Sequence, residues 1–341
     1  MRTILVVPTL CLALISPARA ADSVTLSFGG DVNGEFPISK TLSFGGNPLG
    51  DASTIFKKSD ISAINLETVV STLGTPAEKE FTFTAPNSLL TALKKGGVSV
   101  VNVANNHSFD FGREAFVDTL KNISDAKLAA IGGGANYAGA WAPRIVTVRG
   151  MKVAFIGVGK INGGKESIAT YKSPGITSNW DQKGVLASIA AAKAITPIVI
   201  VMVHWGVEKA HCAGSVEKKS AALWIKAGAT AIIGSHPHVQ QAIVTEKGST
   251  IAYSLGNLTF YSSHADAGRT GVLTLRISDT GKVAQSLFTP MHIDPKTGSP
   301  KLLSATDSAK ELAAIASYGL PSCVDPKPIA TASPTNSTTT K

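Results

Sequence analysis

Residues 229–239 read ATAIIGSHPHV, an apolar run followed directly by two histidines that flank one proline. Because the run is β-branched and of strand length, we expect a buried strand that ends near Gly234. In an open α/β sheet, ligands bind where the carboxyl ends of the strands meet the loops. His236 and His238 therefore predict a site at one sheet edge, to which other strand ends also contribute.

The rest of the chain carries the pattern of an α/β fold. Apolar runs that predict strands lie at 24–28, 61–64, 98–103, 145–148, 153–158, 198–203 and 230–233, and helical stretches lie at 87–95, 113–126, 182–194 and 216–227. Strands that are apolar on both faces and alternate with helices predict a sheet that helices cover on each side. After Gly248, runs at 250–254, 272–277 and 283–288 predict antiparallel strands that complete a second sheet.

The two ends of the chain are expected to lie outside the folded domain, which we place at residues 21–320. Arg2, an apolar run at 4–15 and the small-x-small triplet at 18–20 predict a signal peptide over residues 1–20, either cleaved or kept as an anchor. The protein is therefore expected to be exported, to the periplasm, the cell surface or the medium. Residues 321–341 are rich in Pro, Ser and Thr and predict a disordered tail.

Composition indicates a globular protein that binds no nucleic acid. The 341 residues are 44% hydrophobic, and without Arg2 and Arg19 the mature chain keeps 30 of its 32 basic residues against 23 acidic ones, a net charge of +7. This charge favours a polyanionic partner, but the basic residues are scattered and form no patch interleaved with aromatics. Cys212 and Cys323 either pair in a disulfide, or Cys212 helps to bind a metal.

Four further predicted strands end in polar residues of the types that bind metal ions. Asp31 follows the run at 24–28, Glu67 follows 61–64, Asn105, Asn106 and His107 follow 98–103, and His204 follows 198–203. Each has a structural explanation alone, as a turn, a cap or a buried histidine, but their recurrence at five strand ends favours one shared site. Imidazole suits zinc or iron, whereas carboxylate and amide oxygens suit manganese. We therefore expect divalent ions, two in number, that activate water and bind phosphate-like oxygens.

Six motifs in order carry a resemblance to a known family. They are GGDV at 29–32, INLE at 64–67, NVANNHSFDFG at 102–112, VHWGVE at 203–208, GSHPHV at 234–239 and YSLGNLTF at 253–260. Together they resemble the calcineurin-like metallophosphoesterase superfamily and, within it, the bacterial CapA family of poly-γ-glutamate capsule synthesis. The resemblance implies a sandwich of two mixed β-sheets flanked by helices. It also implies an anionic polymer such as poly-γ-glutamate as partner, and a membrane-bound capsule synthesis complex.

The resemblance also assigns expected roles to individual residues. The implied metal ligands are Asp31, Glu67, Asn106, His204, His236 and His238. His107 is expected to assist charge development or leaving-group protonation. Asn33 stands where the superfamily's Asp-x-His motif has its histidine, so the metal position on the Asp31 side is expected to be weakened.

Three more residues have expected roles near the site, and for two of them the sequence leaves an alternative open. Asp110 either orients His107 or caps the helix that opens near Gly112, and Arg113 either binds an anionic substrate oxygen or lies on the surface. Asn257 is expected to bind substrate in the cleft. Two functions also remain: a capsule or cell-wall polymer factor with a metallophosphatase-like metal site, and a metal-dependent phosphoesterase with an unknown extracytoplasmic substrate.

Overall fold

The computed structural model describes residues 23–161, 163–261 and 265–324. The expected signal peptide lies outside these residues, as does the expected tail from residue 325 onward. The strands are β1 (Ser23–Val32), β2 (Ile61–Leu66), β3 (Val100–Asn102), β4 (Ala129–Ile131), β5 (Gly133–Gly134), β6 (Arg144–Val148), β7 (Met151–Gly159), β8 (Gly175–Ile176), β9 (Val199–His204), β10 (Ala231–Ser235), β11 (Ile243–Glu246), β12 (Ser249–Ala252), β13 (Asn257–Thr259), β14 (Arg269–Ser278), β15 (Val283–Asp294) and β16 (Ser299–Leu302). The helices are α1 (Ile38–Ser43), α2 (Ala52–Lys58), α3 (Ser88–Lys95), α4 (Gly112–Asp125), α5 (Tyr137–Trp141), α6 (Gln182–Lys193), α7 (Ser215–Ala227) and α8 (Ala305–Ser317). In these ranges no helix is long and apolar enough to cross a membrane.

Two mixed sheets face each other, which confirms the predicted fold class. The first has the order β16-β15-β14-β1-β2-β3-β4, with β13 also paired to β1, and the second has the order β11-β12-β10-β9-β7-β6. Strands β1 to β4 run parallel to one another, and so do β7, β9, β10 and β12. Each sheet therefore collects the carboxyl ends of several strands at one edge.

Of the three runs near the carboxyl end that were predicted to complete a second sheet, one does so, and the prediction is wrong for the other two. Strand β14 pairs antiparallel with β1 from Ser23 opposite Ser278 onward, and β15 and β16 extend the same sheet. Strand β12 joins the second sheet, where it is antiparallel to β11, as predicted, and parallel to β10. The reason is that β1 would otherwise be an edge strand with unpaired backbone groups on one side.

Alternation of side chains along the strands positions the site between the two sheets. In β9, Ile200 and Met202 pack in the apolar layer that also contains Phe28 of the first sheet. The intervening Val199, Val201 and Val203 pack with residues of α6 and α7 on the outer face. Because successive side chains of a strand point to opposite faces, His204 at the end of β9 continues the inner set. Its imidazole therefore lies in the layer between the sheets.

A disulfide joins Cys212, on the loop after β9, to Cys323, just beyond α8. The structure thus decides between the two alternatives for Cys212. The bond closes a loop with a sequence separation of 111 residues, and closing a loop of this size restricts the unfolded chain strongly. We expect the double variant Cys212→Ser/Cys323→Ser to lose about 2–5 kcal/mol of unfolding free energy in urea titrations. A wild-type midpoint that stays the same with and without reductant would contradict this expectation.

Candidate metal centre

Glu67, at the end of β2, belongs to two groups of side chains that could each hold a metal ion. One group is Glu67, His204 and His236, and the other is Asp31, Glu67 and His238, with the ligand atoms of each group within 4.8 Å of one another. Glu67 and Asp31 are fully buried. The structure thus brings together five of the six metal ligands that the resemblance implied, and it places Glu67 between the other four.

Asn106 completes this set through His204. The His204 Nδ1 atom lies 3.1 Å from Ser235 Oγ and 3.2 Å from Asn65 Nδ2, so the ring is held on that side. Its Nε2 atom lies 2.7 Å from Asn106 Oδ1. Nε2 also lies 3.4 Å from a Glu67 oxygen. Asn106, the sixth implied ligand, therefore lies beside the same His204 nitrogen that faces Glu67.

The His-Pro-His turn directs the other two imidazoles. His236 and His238 have φ angles of 99° and 57°, on either side of Pro237. Such backbone is strained in non-glycine residues, by about 1–3 kcal/mol each. The His236 N–H donates to Asp31 at 3.1 Å, which fixes the turn against β1. His236 Nδ1 then lies 3.1 Å from His204 Nε2.

Asn257 holds His238 in place, and its expected role in binding substrate stays a prediction. The Asn257 side-chain N–H donates to the Ala267 carbonyl, and its oxygen lies 2.8 Å from His238 Nδ1. Since that oxygen can only accept, Nδ1 carries the proton and Nε2 keeps its lone pair. His238 Nε2 faces Glu67 at 3.8 Å. Outer hydrogen bonds of this kind orient metal-binding histidines in many proteins.

The hydrogen bonding of Glu67 tests whether these residues suit a metal. Both carboxylate oxygens of Glu67 are buried, and neither has a hydrogen-bond partner among the described residues. An unpaired buried carboxylate is strongly unfavourable. Around it lie imidazole nitrogens and an amide oxygen that make no hydrogen bond to it, and both types of atom bind metal ions. A divalent cation satisfies all of these atoms at once, so the cluster fits a metal site.

His107 is held with one ring nitrogen facing the cluster. Its Nδ1–H donates to Asp110 at 2.7 Å, and its ring stacks on Phe83 with centroids 4.0 Å apart. Its Nε2 lies 3.9 Å from Glu67. Asp110 also accepts from the Phe83 N–H at 2.6 Å, and α4 has no side-chain cap at its first turn. The structure therefore favours the orienting role for Asp110 over the capping role.

Arg113 does not reach the cluster. Its guanidinium donates to the backbone carbonyls of Pro174 and Glu166, and it lies over the Phe109 ring at 5.3 Å from the centroid. These contacts connect α4 to the segment before β8. These contacts use two of the five guanidinium N–H groups, and the expected role in binding a substrate oxygen stays a prediction.

A cleft of about 530 Å³ opens beside the centre. Its inner end is formed by His107, His238 and Asn257. Its walls are aromatic at Phe81, Phe83, Phe260 and Tyr261 and charged at Glu208, Lys209 and Asp266. The cluster therefore opens to the solvent through this cleft.

Burial prepares the cluster for a cation by shifting pKa values in opposite directions. Burial raises the pKa of Glu67 well above its ordinary value, and the neighbouring Asp31 raises it further. Burial lowers the pKa of His236 to about 3, and lowers that of His204 well below the usual 6.5. The imidazoles are thus neutral and ready to bind a metal, whereas the raised pKa of Glu67 means that a metal competes with a proton for this carboxylate.

Metal affinity is therefore expected to fall as the pH falls below 7. The direction of this pH dependence follows from the raised pKa of Glu67. As the pH falls, the metal-free protein takes up a proton there that the metal-bound protein lacks. Calorimetric titration with Mn²⁺ in two buffers of different ionisation heat should show proton release that increases between pH 7 and pH 5.5. An affinity that does not change with pH would show that no carboxylate proton is displaced.

Sequence reasoning missed three residues that support the site. Asn65 donates to Asp31 at 2.8 Å and accepts from Asn102 at 2.9 Å, so it holds two strand ends together. Lys79 contacts Asp110 and donates to the Asn106 carbonyl at 3.0 Å. Asn65 precedes Glu67 at a strand end and could have been found there. Phe83 and Lys79 lie on the loop between β2 and α3, where no local pattern marks them.

Solved structures with this fold include phosphatases. The chain superposes on a phosphatase from Mycoplasma pneumoniae with a TM-score of 0.51 and 14% identity, over 80% of this chain and 94% of that one. A hypothetical protein from Thermus thermophilus gives a TM-score of 0.51 and 15% identity, over 79% and 99%. At these identities the likeness shows the fold alone, which is phosphoesterase-like.

Sequence comparison gives closer relatives. The chain is 31% identical to the capsule biosynthesis protein CapA of Bacillus anthracis over 238 residues, which is 68% of this chain and 56% of that protein's length. It is 29% identical to the PGA biosynthesis protein CapA of Bacillus subtilis over 286 residues, 82% of this chain and 74% of that protein. Residues 25–262 match the family model described as bacterial capsule synthesis protein PGA_cap. This protein therefore belongs to the PGA_cap family of bacterial capsule synthesis proteins.

Proposed function

We propose that this protein is an exported factor of capsule or cell-wall polymer synthesis that acts on an anionic polymer of the poly-γ-glutamate type through a metal centre. Family membership supports the polymer role. The observation that carries the metal centre is Glu67, which is shared by two ligand groups and has both oxygens buried and unpaired. Asp31 and His238 would hold one ion and Asn106, His204 and His236 the other, with Glu67 shared.

Divalent ions at these residues would supply Lewis-acid activation of water and of a phosphoryl or carbonyl oxygen. The chain's own residues have separate tasks. Asp110 accepts from His107 Nδ1 and keeps the ring in place, so that Nε2 can take up or give a proton on the cluster side. Phe83 stacks on the same ring and limits its rotation. The aromatic walls of the cleft restrict the water that reaches this point.

Export is part of the proposal and rests on residues 1–20 together with the disulfide. Disulfides persist in oxidising compartments outside the cytoplasm and are rare inside it. The bond between Cys212 and Cys323 suits such a location. Mass measurement of the protein from the cell envelope and the medium tests this: a chain that begins after Ala20 supports cleavage, and a full-length chain confined to the cytoplasm contradicts export.

The second candidate is a metal-dependent phosphoesterase with an unknown extracytoplasmic substrate. The position of His107 favours it, because the ring is buried, oriented by Asp110 and directed at the cluster. General acid or base catalysis by such a group contributes about 10²–10⁴-fold in rate. A purely polymer-binding protein would have no need for this arrangement.

Two parallel assays on the Mn²⁺-loaded protein separate the candidates. The first measures binding of poly-γ-glutamate and its chain length on gels after incubation. The second measures hydrolysis of bis(p-nitrophenyl) phosphate by the wild type and by His107→Asn. Polymer binding without ester hydrolysis supports the polymer factor, and hydrolysis that His107→Asn removes supports the phosphoesterase. Absence of both, in protein that holds metal, would contradict both. Recovery of a membrane-bound ligase complex with the tagged protein would add the expected partner.

A further inference from the structure

Asn33, two residues beyond Asp31, is a buried amide without a hydrogen bond. Its side chain is fully buried. Neither its Oδ1 nor its Nδ2 atom has a hydrogen-bond partner among the described residues. Buried polar groups are almost always paired, and leaving one unpaired costs about 1–3 kcal/mol. An amide in this state needs an explanation.

The other asparagines of the site are all hydrogen-bonded through their side chains. They are Asn65, Asn102, Asn105, Asn106 and Asn257, with partners in each other, in the histidines and in backbone groups. Asn33 therefore differs from its neighbours in the same region of the fold. Like Asn33, the Glu67 carboxylate of the two ligand groups is buried and unpaired, at both of its oxygens. The two residues have the same need for a partner that is not a protein atom.

The backbone fixes Asn33 at the edge where the ligands meet. Its N–H donates to the Thr259 carbonyl at 3.0 Å, in the same strand that carries Asn257. Two residues earlier, the Asp31 N–H donates to the Gly256 carbonyl at 3.0 Å. Asp31 and Asn33 are thus bound to the same short segment, and residues two apart in extended backbone share a face.

We propose that the Asn33 amide oxygen is a metal ligand that completes the position held by Asp31, Glu67 and His238. The inference rests on the proposed function, because it adds a ligand to that same centre. It replaces the expectation that this position is weakened by the loss of the motif's histidine. Asn33 supplies an oxygen ligand in place of the nitrogen ligand that the motif's histidine would supply.

The consequence is that the two positions differ in their donor atoms. The Asn33 position has three oxygen-donating side chains and one imidazole. The other position has Glu67 and Asn106 with two imidazoles, His204 and His236. Carboxylate and carbonyl oxygens favour manganese or magnesium, whereas imidazole favours zinc and iron. The Asn33 position is therefore selective for Mn²⁺ relative to the other position.

The test is a titration of metal-free protein with Mn²⁺, in which free Mn²⁺ is followed by electron paramagnetic resonance. Asn33→Leu removes the amide at nearly constant size, and Asn33→Asp keeps an oxygen donor. We expect wild type and Asn33→Asp to bind at two positions, and Asn33→Leu to lose affinity at one of them at least tenfold. Asn33→His should bind metal at both positions. In competition between Mn²⁺ and Zn²⁺, it should prefer Zn²⁺ at one of them. Because an unpaired amide is removed, metal-free Asn33→Leu should melt no lower than the metal-free wild type.

Gln240 provides the matched control, since it is also buried with both amide atoms unpaired. Gln240→Leu should leave both Mn²⁺ affinities unchanged. Equal Mn²⁺ binding by Asn33→Leu and wild type would overturn the inference and leave the metal centre in place. Equal losses in Asn33→Leu and Gln240→Leu would also overturn it, since any buried amide would then have the same effect. A wild type that binds no metal would overturn the proposed function itself.

Discussion

Replacing Glu67 with Gln is expected to lower the affinity for divalent metal at least about 100-fold at both positions. Glu67 belongs to both ligand groups, so its charge is lost from each. Removing even an outer hydrogen-bond partner of a metal ligand costs roughly 10–100-fold, and a shared ligand contributes more. Titration with Mn²⁺ and Zn²⁺ measures the effect directly.

The same substitution should raise the stability of the metal-free protein. At neutral pH a buried carboxyl group whose pKa is raised well above its ordinary value makes the metal-free fold less stable, and a neutral amide of the same shape removes that cost. Urea unfolding in the presence of a chelator tests this. Glu208→Gln is the matched control, because Glu208 lines the same cleft but belongs to neither ligand group. A Glu67→Gln protein that binds metal as the wild type does would contradict the central place of Glu67.

Replacing Trp205 with Ala is expected to lower the unfolding free energy by about 3–5 kcal/mol. Trp205 directly follows His204 and is fully buried. It stacks on Trp224 with centroids 5.5 Å apart, and its indole N–H donates to the Tyr253 carbonyl at 2.8 Å. The substitution leaves a large cavity behind the second sheet and an unpaired carbonyl. Chemical unfolding monitored by circular dichroism measures the loss.

Trp180 is the control for this prediction. Its side chain is 79% exposed, so Trp180→Ala should change stability by less than about 0.5 kcal/mol. Comparable losses in the two variants would mean that burial does not decide the effect. A Trp205→Ala protein of wild-type stability would contradict the prediction.

The strands were predictable because they are buried on both faces and read as continuous apolar runs. The pairing of β1 with β14 could not be predicted. Ser23 pairs with Ser278, which lies far away in the sequence, and no local pattern encodes that pairing. The same limit applies to Arg113. Its position at the start of α4 was predicted correctly, but the direction of its side chain depends on the distant carbonyls of Glu166 and Pro174.

The site was predictable where one residue type at one strand end decided the role. His204, His236 and Glu67 were found in this way, and the structure brings them together. The contacts that support the site were harder to predict. Phe83, for example, stacks its ring on His107 and donates its backbone N–H to Asp110. The pairing of Cys212 with Cys323 remained one of two alternatives, since the distance between them depends on the whole fold. For Asn33, the sequence showed only which residue was missing, and not that the one present is unpaired.

The metal content of the purified mature protein tests the account most directly. Protein purified with Mn²⁺, freed of loosely bound ions and measured by mass spectrometry should contain about two metal ions per chain. The variant His236→Ala/His238→Ala should lose most of this metal while keeping its fold by circular dichroism. A wild type without metal, or a double variant with unchanged metal content, would contradict the assignment of the centre.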